Sequence, residues 1–487
     1  MPLRSFNRQQ TWLLPPTLGE LIPDDHPARF VAAFVDALDQ SAWLKLGVDR
    51  EGEALGAPAY DPRALLSVWL FGFMTGTRSC RKLEAACRDQ LPYLWLTGWQ
   101  RPDHNTLWRF YKEHRSEMSH LFKLTVRTAV DMDLVDMAIQ AVDGTRIAAN
   151  AARDRTHDAK ELPALLGRAE EAIRQLEREN EAGNDPPPPR LPEKLRHMQE
   201  LRQEVAAALE RIDAGKSKNI NLTDNDATLQ KLQAGNVVPG YSLEAVVSPL
   251  NTLQTGLTGM VITAVAAVQD QADTNQLLPM MQLAEETAGK KAGITAADAG
   301  FESSANVAAC EERHQKIVLP MAEDHNLENP YHKDKFTYDA EHDVYYCPRG
   351  EPLRYIRNNG YLITNAREYR CSGKTCRICP ALGACTKSRN GRILLISRYD
   401  AQLRRHRRWM ATKEAKDAYA RRKELNEPTF GIIKEQMGAR RFLLRGLANV
   451  RSEAIVLGTA FNLRTLCHVW QSWSCEKRQM LTENCRI

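Results

Sequence analysis

The chain has 487 residues, a length that favours about three domains. Hydrophobic residues make up 43% and charged residues 26%, which is ordinary for a globular protein. This composition excludes a disordered chain, a collagen-like repeat and a small disulfide scaffold. The 66 Lys and Arg exceed the 61 Asp and Glu by only +5, an excess that by itself argues against a nucleic-acid partner.

The amino terminus has no continuous apolar stretch of signal-peptide length, and no segment of the sequence is long and apolar enough for a membrane span. Its most apolar run, residues 64–74, is shorter than the roughly 18 residues that a membrane helix needs. Eleven cysteines without a secretion signal indicate a reducing compartment, where clustered cysteines point to a metal more often than to disulfides. We therefore expect a cytoplasmic protein with no membrane partner.

Residues 1–130 are predicted to form a helical domain. Asp61-Pro62 provides a helix cap followed by proline at the first helical position, and it opens the apolar run ALLSVWLFGFM. Asp103 precedes a second helix that carries Leu107 and Phe110 at helical spacing. Short helices joined by tight turns are compatible with a helix-turn-helix module. A plain helical bundle fits the pattern equally well.

The pattern changes to strands after residue 130. We predict a first part of a catalytic core over 131–157, whose apolar strand MAIQAVD ends at Asp143. Residues 158–220 read as an inserted helical hairpin, with helices over 162–176 and 195–212 and a proline run between them. This insertion serves either as a spacer or protein-binding surface, or as a solvated arm.

A second part of the core is predicted over residues 221–321. Strands over 241–247 and 260–268 form a hairpin, and a helix over 276–288 leads to the strand AGITAAD, which ends at Asp298. A short helix over 304–313 and a strand over 317–320 follow. Antiparallel strands followed by alternating strands and helices predict a mixed α/β sheet covered by helices.

Residues 322–400 are predicted to form a small β-rich insertion that contains clustered cysteines. The spacing is Cys371-x4-Cys376-x2-Cys379-x5-Cys385, with Cys347 further upstream. Four thiolates bind Zn²⁺ tetrahedrally and brace a domain with little core of its own. The fifth cysteine leaves the ligand set ambiguous, and reduced thiols without a metal remain the alternative.

Residues 401–487 are predicted to be helical and basic, and to complete the core. Residues 398–451 contain fifteen Lys and Arg against six Asp and Glu, a local net charge of +9 that leaves −4 for the rest of the chain. Lys and Arg along helices neutralise phosphates and give binding that is largely independent of DNA sequence. The even charge balance of the whole chain therefore conceals a basic region.

Three acids stand out by their positions. Asp143 and Asp298 each lie where an apolar strand ends before a glycine-containing turn, so they converge if their strands are neighbours. Two carboxylates at one point repel each other unless a cation lies between them, and oxygen ligands favour Mg²⁺. Glu427 lies on the basic helix, where a metal and a polyanion would meet. For any single acid, a solvated surface position is the alternative.

Several blocks of the sequence resemble bacterial insertion-sequence transposases of the DDE type. The blocks are AVDGTRIAANA, ITAADAGFESS and NEPTFGIIKEQMGARRFLLRGLANVRSEAIVLGTAFNL, with Thr223-Asp224-Asn225-Asp226-Ala227 similar to a further one. PDDHPARF, YDPRALLSVWLFGFMTGTRSCRKLE and RPDHNTLWRFY resemble the amino-terminal domain of the same group. The resemblance implies an α/β fold with an RNase H-like core, in which Asp143, Asp298 and Glu427 bind two Mg²⁺ ions, or Mn²⁺.

Related transposases carry Tyr, Arg, Glu and Lys at fixed spacings around the third acid. Glu427 and Lys434 fit that spacing, but Lys423 falls in the Arg register and Ala420 in the Tyr register, with Arg422 one residue early. Lys neutralises a phosphate but lacks the bidentate fork of Arg. The residues expected to contact DNA are Arg422, Lys423, Lys434, Arg440 and Arg441.

The resemblance also implies the reaction and the partners. A metal-activated water cuts the phosphodiester at the end of the element, and the freed 3′-OH then attacks target DNA. The expected partners are double-stranded DNA with terminal inverted repeats, the target DNA and a second copy of the chain, in a nucleoid-associated complex. The alternatives are an inactive DNA-binding relative and a metal-dependent nuclease without strand transfer.

Overall fold

The computed structural model describes residues 17–48, 59–183, 193–213, 218–232, 235–270, 272–321, 328–359, 366–474, 477–478 and 481. Its amino-terminal part is helical, as predicted. The helices are α1 (Pro27–Asp36), α2 (Gln40–Lys45), α3 (Pro62–Thr75), α4 (Cys80–Asp89), α5 (Leu91–Leu96), α6 (His104–His114) and α7 (Ser119–Asp131). None of the helices in the described part of the chain is long and apolar enough to cross a membrane.

Helix α3 is the central helix of this part and begins as the sequence predicts. The Asp61 side chain accepts a hydrogen bond from the Arg63 amide (2.8 Å), and Pro62 occupies the first turn. Residues 65–74 are all buried, so the helix is enclosed on every side. It ends at Gly76, whose φ is +81° and whose missing Cβ would lie 2.9 Å from the Gln436 carbonyl oxygen. A glycine is therefore needed where α3 meets the carboxy-terminal segment.

Strands begin after α7, and most of them build the central sheet. They are β1 (Ile139–Ala148), β2 (Thr156–Asp158), β3 (Asn219–Asn221), β4 (Thr228–Lys231), β5 (Val237–Pro249), β6 (Met260–Val268), β7 (Ile294–Ala296) and β8 (Lys316–Val318). The exceptions are β2 and β3, which pair with each other in a separate two-stranded sheet. β1 pairs antiparallel with β5 and parallel with β7, β6 pairs with β5, and β8 pairs with β7. The order β6–β5–β1–β7–β8 is a mixed α/β sheet consistent with the expected RNase H-like core.

The predicted helical insertion is a pair of long helices. They are α8 (Glu161–Gly183) and α9 (Glu193–Asp213), and the proline run between them lies outside the described residues. Leu162 at the start of α8 packs in one apolar cluster with Val205 and Ala208 near the end of α9. The two helices therefore run antiparallel, which is the hairpin that the seam spacing predicts.

Three helices follow in the second half of the core: α10 (Thr252–Thr255), α11 (Leu277–Ala288) and α12 (Ser304–Glu312). The small antiparallel sheet of the cysteine region comes next. It contains β9 (Thr337–Asp339), β10 (Val344–Tyr346), β11 (Pro352–Asn359), β12 (Ala366–Cys371) and β13 (Ile393–Ile396), with the short helix α13 (Gly373–Ile378). Its apolar cluster is separate from that of the central sheet.

The carboxy-terminal region is helical, with α14 (Asp400–Met410), α15 (Lys413–Gly431) and α16 (Leu447–Ser472). Helix α15 packs against β1, and α16 packs against β6, α7 and α3. Residues of α16 from Val450 to Trp470 belong to the same apolar cluster as α1, α3 and α7. The last long helix therefore joins the amino-terminal helices to the sheet.

Two aspartates of the block 223–227 hold the amino terminus of α16. Asp224 is buried and accepts hydrogen bonds from the Gly446 amide (3.1 Å) and the Tyr241 hydroxyl (2.8 Å). Asp226 accepts from the Leu447 amide (2.8 Å) and pairs with Arg211 of α9. Negative charge at this end of a helix satisfies free amide groups and the helix dipole. The block is therefore a structural connection between α9 and α16.

A buried ion pair connects the amino-terminal helices to the carboxy-terminal segment. The Arg78 guanidinium lies 2.7 Å from the Glu453 carboxylate, and both side chains are less than one tenth exposed. Arg78 also donates to the carbonyls of Gly438 (2.6 Å) and Arg441 (3.0 Å), while Glu453 accepts from the Leu443 and Leu444 amides. Burial raises the pKa of Glu453 and lowers that of Arg78, and each charge opposes the shift of the other.

We expect Arg78→Ala to destabilise the protein by about 3–5 kcal/mol, because it leaves the buried Glu453 carboxylate without its counter-charge. The measurement is urea unfolding of the full chain, followed by tryptophan fluorescence. Arg174→Ala is the matched control, since Arg174 pairs with Glu171 on the exposed surface of α8 and should contribute less than about 1 kcal/mol. Equal losses in the two variants would contradict a structural role for the buried pair.

Candidate active site

Asp143 and Asp298 come together on adjacent parallel strands. Ala141 of β1 pairs with Ala296 of β7, and each aspartate lies two residues further along its chain. The pKa of Asp143 is raised to about 6, first by burial and then by the charges of Asp298 and Asp273, against the opposing effects of the Gly144 amide and Arg422. Asp298 follows the end of β7 as predicted, whereas the predicted strand end at Asp143 is wrong, because β1 continues through Gly144 to Ala148 in pairing with β5. The two acids nevertheless interact electrostatically in the folded protein.

Asp298 also caps the short turn that follows β7. Its Oδ1 accepts a hydrogen bond from the Gly300 amide at 2.8 Å, which fixes the direction of the carboxylate. A Cβ atom at Gly300 would lie 3.0 Å from Asp298 Oδ1 and 3.3 Å from Asp273 Oδ2. Asp273, in the turn before α11, therefore lies beside the same glycine as Asp298.

Glu244 is a fourth carboxylate at this site. It is fully buried and pairs across the strands with Gly144, where a Cβ atom would lie only 2.4 Å from its Oε1. Burial and the charges of Asp273 and Asp143 raise the pKa of Glu244 to about 7, whereas Ser242 and Arg146 oppose the shift. Its Oε2 has no hydrogen-bond partner among the described atoms. We refer to Asp143, Glu244, Asp273 and Asp298 as the carboxylate cluster.

Arg146 links two members of the carboxylate cluster from within β1. Its guanidinium lies 2.8 Å from Asp273 and 3.7 Å from Glu244, and it also donates to the Ser242 hydroxyl. A delocalised guanidinium can serve several oxygen acceptors at once. Arg146 therefore neutralises part of the negative charge that surrounds Asp143 and Asp298.

The sequence interpretation missed Glu244 and Asp273. The signal for Glu244 is a lone acid inside the apolar run YSLEAVV, which is unusual in a strand whose neighbours are buried. Asp273 gives no such signal, because an aspartate shortly before a helix is an ordinary feature.

Arg422 and Lys434 both reach β1 from the carboxy-terminal region. The Arg422 guanidinium lies 3.1 Å from Asp143 Oδ2, and its side chain is only 12% exposed. Lys434 Nζ lies 2.5 Å from the Thr145 hydroxyl, and burial lowers the pKa of this lysine. These contacts place two of the predicted basic residues beside the carboxylate cluster.

Glu427 lies on α15, between Arg422 and Lys434 in sequence, and its side chain is exposed. Its neighbour Asn426 is fully buried, whereas Glu427 is exposed. Pro428 follows inside the helix, and the chain passes into a π-helical turn over Ile432–Gln436. Such irregular turns are frequent at functional sites. The structure thus places Glu427 on the helix that packs against β1, with its carboxylate in solvent.

The other predicted DNA contacts lie at the surface. Lys423 and Arg441 are exposed, and Arg440 pairs with Glu435 on the outside of the protein. Three arginines of α14 form ion pairs with acids of the same chain instead: Arg404 and Arg407 pair with Asp334, and Arg405 pairs with Glu311. Trp409 donates to the Ile317 carbonyl at 2.9 Å. Helix α14 therefore uses most of its charge for internal ion pairs.

Across the described ranges, no group of three or more His, Cys, Asp or Glu side chains is arranged closely enough to hold a metal ion. Asp143 and Asp298 nevertheless provide hard oxygen donors whose mutual repulsion a cation would relieve. The donor set of Asp143 and Asp298 therefore fits Mg²⁺ chemically.

The sheet order and the paired aspartates define a class, that of mixed α/β proteins with an RNase H-like core. Two family models match the chain, a transposase DDE domain over residues 346–467 and a second transposase domain, DUF772, over residues 16–113. The matches confirm the resemblance to insertion-sequence transposases of the DDE type. Comparison with curated proteins and with solved structures gave no match.

The two matched regions lie on either side of the central sheet in sequence. The DDE-domain match contains Glu427, Arg422 and Lys434, whereas Asp143 and Asp298 lie between the two matches. A transposase DDE domain implies a nucleotidyl-transfer enzyme in general, and enzymes of this kind act on DNA with divalent metal ions.

We expect Asp143→Asn to stabilise the metal-free protein at about pH 8 by about 2–3 kcal/mol, with little effect at about pH 4. The folded-state pKa near 6 lies above the ordinary value of 3.8, so ionising Asp143 costs stability progressively as the pH rises from about 4 to about 6, and in full above that. That cost disappears as the pH falls toward 4 and the carboxyl becomes protonated. Urea unfolding in a chelator at both pH values tests this, with Glu171→Gln on exposed α8 as the control.

Arg422→Met should shift the pH dependence of Mn²⁺ binding to higher pH. Arg422 lowers the pKa of Asp143, so its loss raises that pKa and a proton competes with the metal over a wider range. Lys423→Met removes the same charge from an exposed neighbouring position and should leave the Mn²⁺ profile in place. Equal profiles for both variants would show that Arg422 does not act on Asp143.

Proposed function

We propose that the protein is the transposase of an insertion sequence, which hydrolyses the phosphodiester at the ends of the element and transfers the freed 3′-OH to target DNA. The observation that carries the proposal is the convergence of Asp143 and Asp298 on adjacent parallel strands beside Arg422. The transposase matches at both ends of the chain support it. The acids proposed to be catalytic are Asp143, Asp298 and Glu427.

These three acids would hold two Mg²⁺ ions, or Mn²⁺. Bound metal supplies an activated water and stabilises the leaving 3′ oxygen of the DNA. The aspartates contribute fixed oxygen ligands, because the Gly144 and Gly300 amides orient them. Glu427 contributes from α15, which packs against the strand that carries Asp143.

The basic residues around the acids hold the DNA backbone. Arg422 is positioned by its contact with Asp143, and its guanidinium would bind a phosphate at the cut site. Lys434 contacts the hydroxyl of Thr145, which lies two residues beyond Asp143 in β1. The exposed residues Lys423, Arg440 and Arg441 extend this basic surface away from the acids.

The substrate is double-stranded DNA that carries terminal inverted repeats, and the amino-terminal helices are proposed to bind those ends. Cleavage of two ends of one element in concert calls for a second copy of the chain on the DNA. Binding through phosphates predicts a strong dependence of affinity on salt concentration.

The test is incubation of the protein with Mg²⁺, DNA carrying the ends of its element and a target plasmid. The full-length protein should cut at the ends and join the 3′-OH to the plasmid. Asp143→Asn, Asp298→Asn and Glu427→Gln should each reduce both steps to the level of a reaction without metal, while the variants still shift the DNA in a gel. Glu424→Gln, an exposed acid one turn earlier on α15, is the control for Glu427.

Each outcome of this experiment indicates a different class of activity for the protein. Cutting without joining would identify a nuclease, and a gel shift without cutting would identify an inactive DNA-binding relative. Cleavage that persists in Asp298→Asn would contradict the proposed site. Loss of activity in Glu427→Gln together with normal activity in Glu424→Gln would support Glu427 as the third acid despite its exposure.

A further inference from the structure

The five cysteines of the small β sheet line one cavity. Cys347 precedes β11, Cys371 ends β12, and Cys376, Cys379 and Cys385 follow on α13 and the loop after it. All five are free thiols, and they lie beside an apolar cluster built on Phe336, Tyr345, Leu353, Tyr369, Leu394 and Ile396. A core of this size leaves a β domain in need of a cross-link or a metal.

We propose that Cys347, Cys376, Cys379 and Cys385 bind a structural Zn²⁺, and that Cys371 is not a ligand. The sequence alone favoured Cys371 over Cys347, and the structure supports the opposite choice. This site is separate from the carboxylate cluster and does not depend on the proposed transposase function.

Two of the four sulfur atoms already accept backbone amide hydrogen bonds. The Glu351 amide donates to Cys347 Sγ and the Arg392 amide donates to Cys376 Sγ, each at 3.4 Å. The first of these lies in the turn Cys347-Pro-Arg-Gly350, closed by the Gly350 amide on the Cys347 carbonyl (2.7 Å), with a φ of +83° at the glycine. Amide donors of this kind stabilise a negative thiolate.

Cys371 is the most deeply buried of the five cysteines, 4% exposed against 9% for Cys376 in the same apolar cluster. Its side chain forms a hydrogen bond with Cys376. The Cys371 S–H can therefore donate to the Cys376 sulfur while the other four thiols act as ligands.

The charge around the cavity also suits a zinc–thiolate centre. Zn²⁺ with four thiolates carries a net charge of −2, and the side chains of Arg349 and Arg392 line the same cavity, with Glu351 opposing them. Since the described cysteines are not gathered at ligand distance, the side chains would rotate into the cavity to close around the ion.

Zinc at this position would hold the cysteine region against the rest of the chain. Arg392 donates to the Tyr331 carbonyl (3.2 Å), and Asp334 close by in sequence binds Arg407 of α14 through both oxygens (2.7 and 2.6 Å). Helix α14 leads directly into α15, which carries Arg422 and Glu427. A zinc ion here would therefore stabilise the segment that leads into α15, the helix that carries Glu427.

The experiment measures zinc in the purified full-length chain by inductively coupled plasma mass spectrometry after dialysis. The natural chain and Cys371→Ser should both contain about one zinc per chain, whereas Cys347→Ser should contain almost none. Cys347→His retains a nitrogen ligand and should keep the metal if the protein folds. Replacement by Co²⁺ should give the visible absorption of tetrahedral thiolate coordination in the natural chain and in Cys371→Ser.

Several results would overturn the proposal. Zinc retained in Cys347→Ser but lost in Cys371→Ser would restore Cys371 as the ligand. A natural chain without zinc, with five thiols of this region reactive or joined in disulfides, would exclude the site altogether. Circular dichroism of each variant shows whether loss of metal comes from loss of a ligand or from failure to fold, and Cys347→His separates these two cases.

Discussion

Burial of the neighbouring carboxylates Asp143, Glu244, Asp273 and Asp298, which repel one another, is the main electrostatic constraint around the middle of β1. The strand pairing places Gly144 directly against buried Glu244, and the parallel pairing with β7 brings Asp298 beside Asp143. Packing of the surrounding sheet and hydrogen bonds from the Gly144 and Gly300 amides hold these groups together, and Arg146 and Arg422 offset part of their charge. Burial first, and then the neighbouring carboxylates, raise the pKa values of Asp143 and Glu244, and a bound cation would relieve the repulsion.

The carboxy-terminal region serves this site through contacts of two kinds. Arg422 and Lys434 act locally on β1, whereas the Arg78–Glu453 pair and the caps of α16 act at a distance by fixing the segment 437–447. The basic side chains of this region therefore have different roles along the chain. Arginines of α14 form ion pairs with Asp334 and Glu311, whereas the exposed basic residues lie on α15 and after it.

Much of this arrangement was predictable from the sequence. Apolar runs that end in Asp143 and Asp298 predicted the strands, and the structure confirms the hairpin of β5 and β6 and the following α11 and β7. The place of Glu244 in the site was missed because its cross-strand neighbour Gly144 is about 100 residues away in sequence. Only the register of β5 on β1 brings Glu244 beside Asp143. The ion pairs of α14 were missed for the same reason, since Asp334 and Glu311 lie far from it in sequence.

Helix α16 has a consequence for how the chain comes to be folded during synthesis. Strands β1, β5 and β6 are made before residue 270, yet the helix that covers β6 and joins α3 and α7 begins only at Leu447. A growing chain therefore exposes that apolar face to solvent, or to chaperones, until α16 has left the ribosome. A chain that terminates before α16 keeps Asp143 and Asp298, but it lacks Glu453, the buried partner of Arg78, and the helix that Asp224 caps.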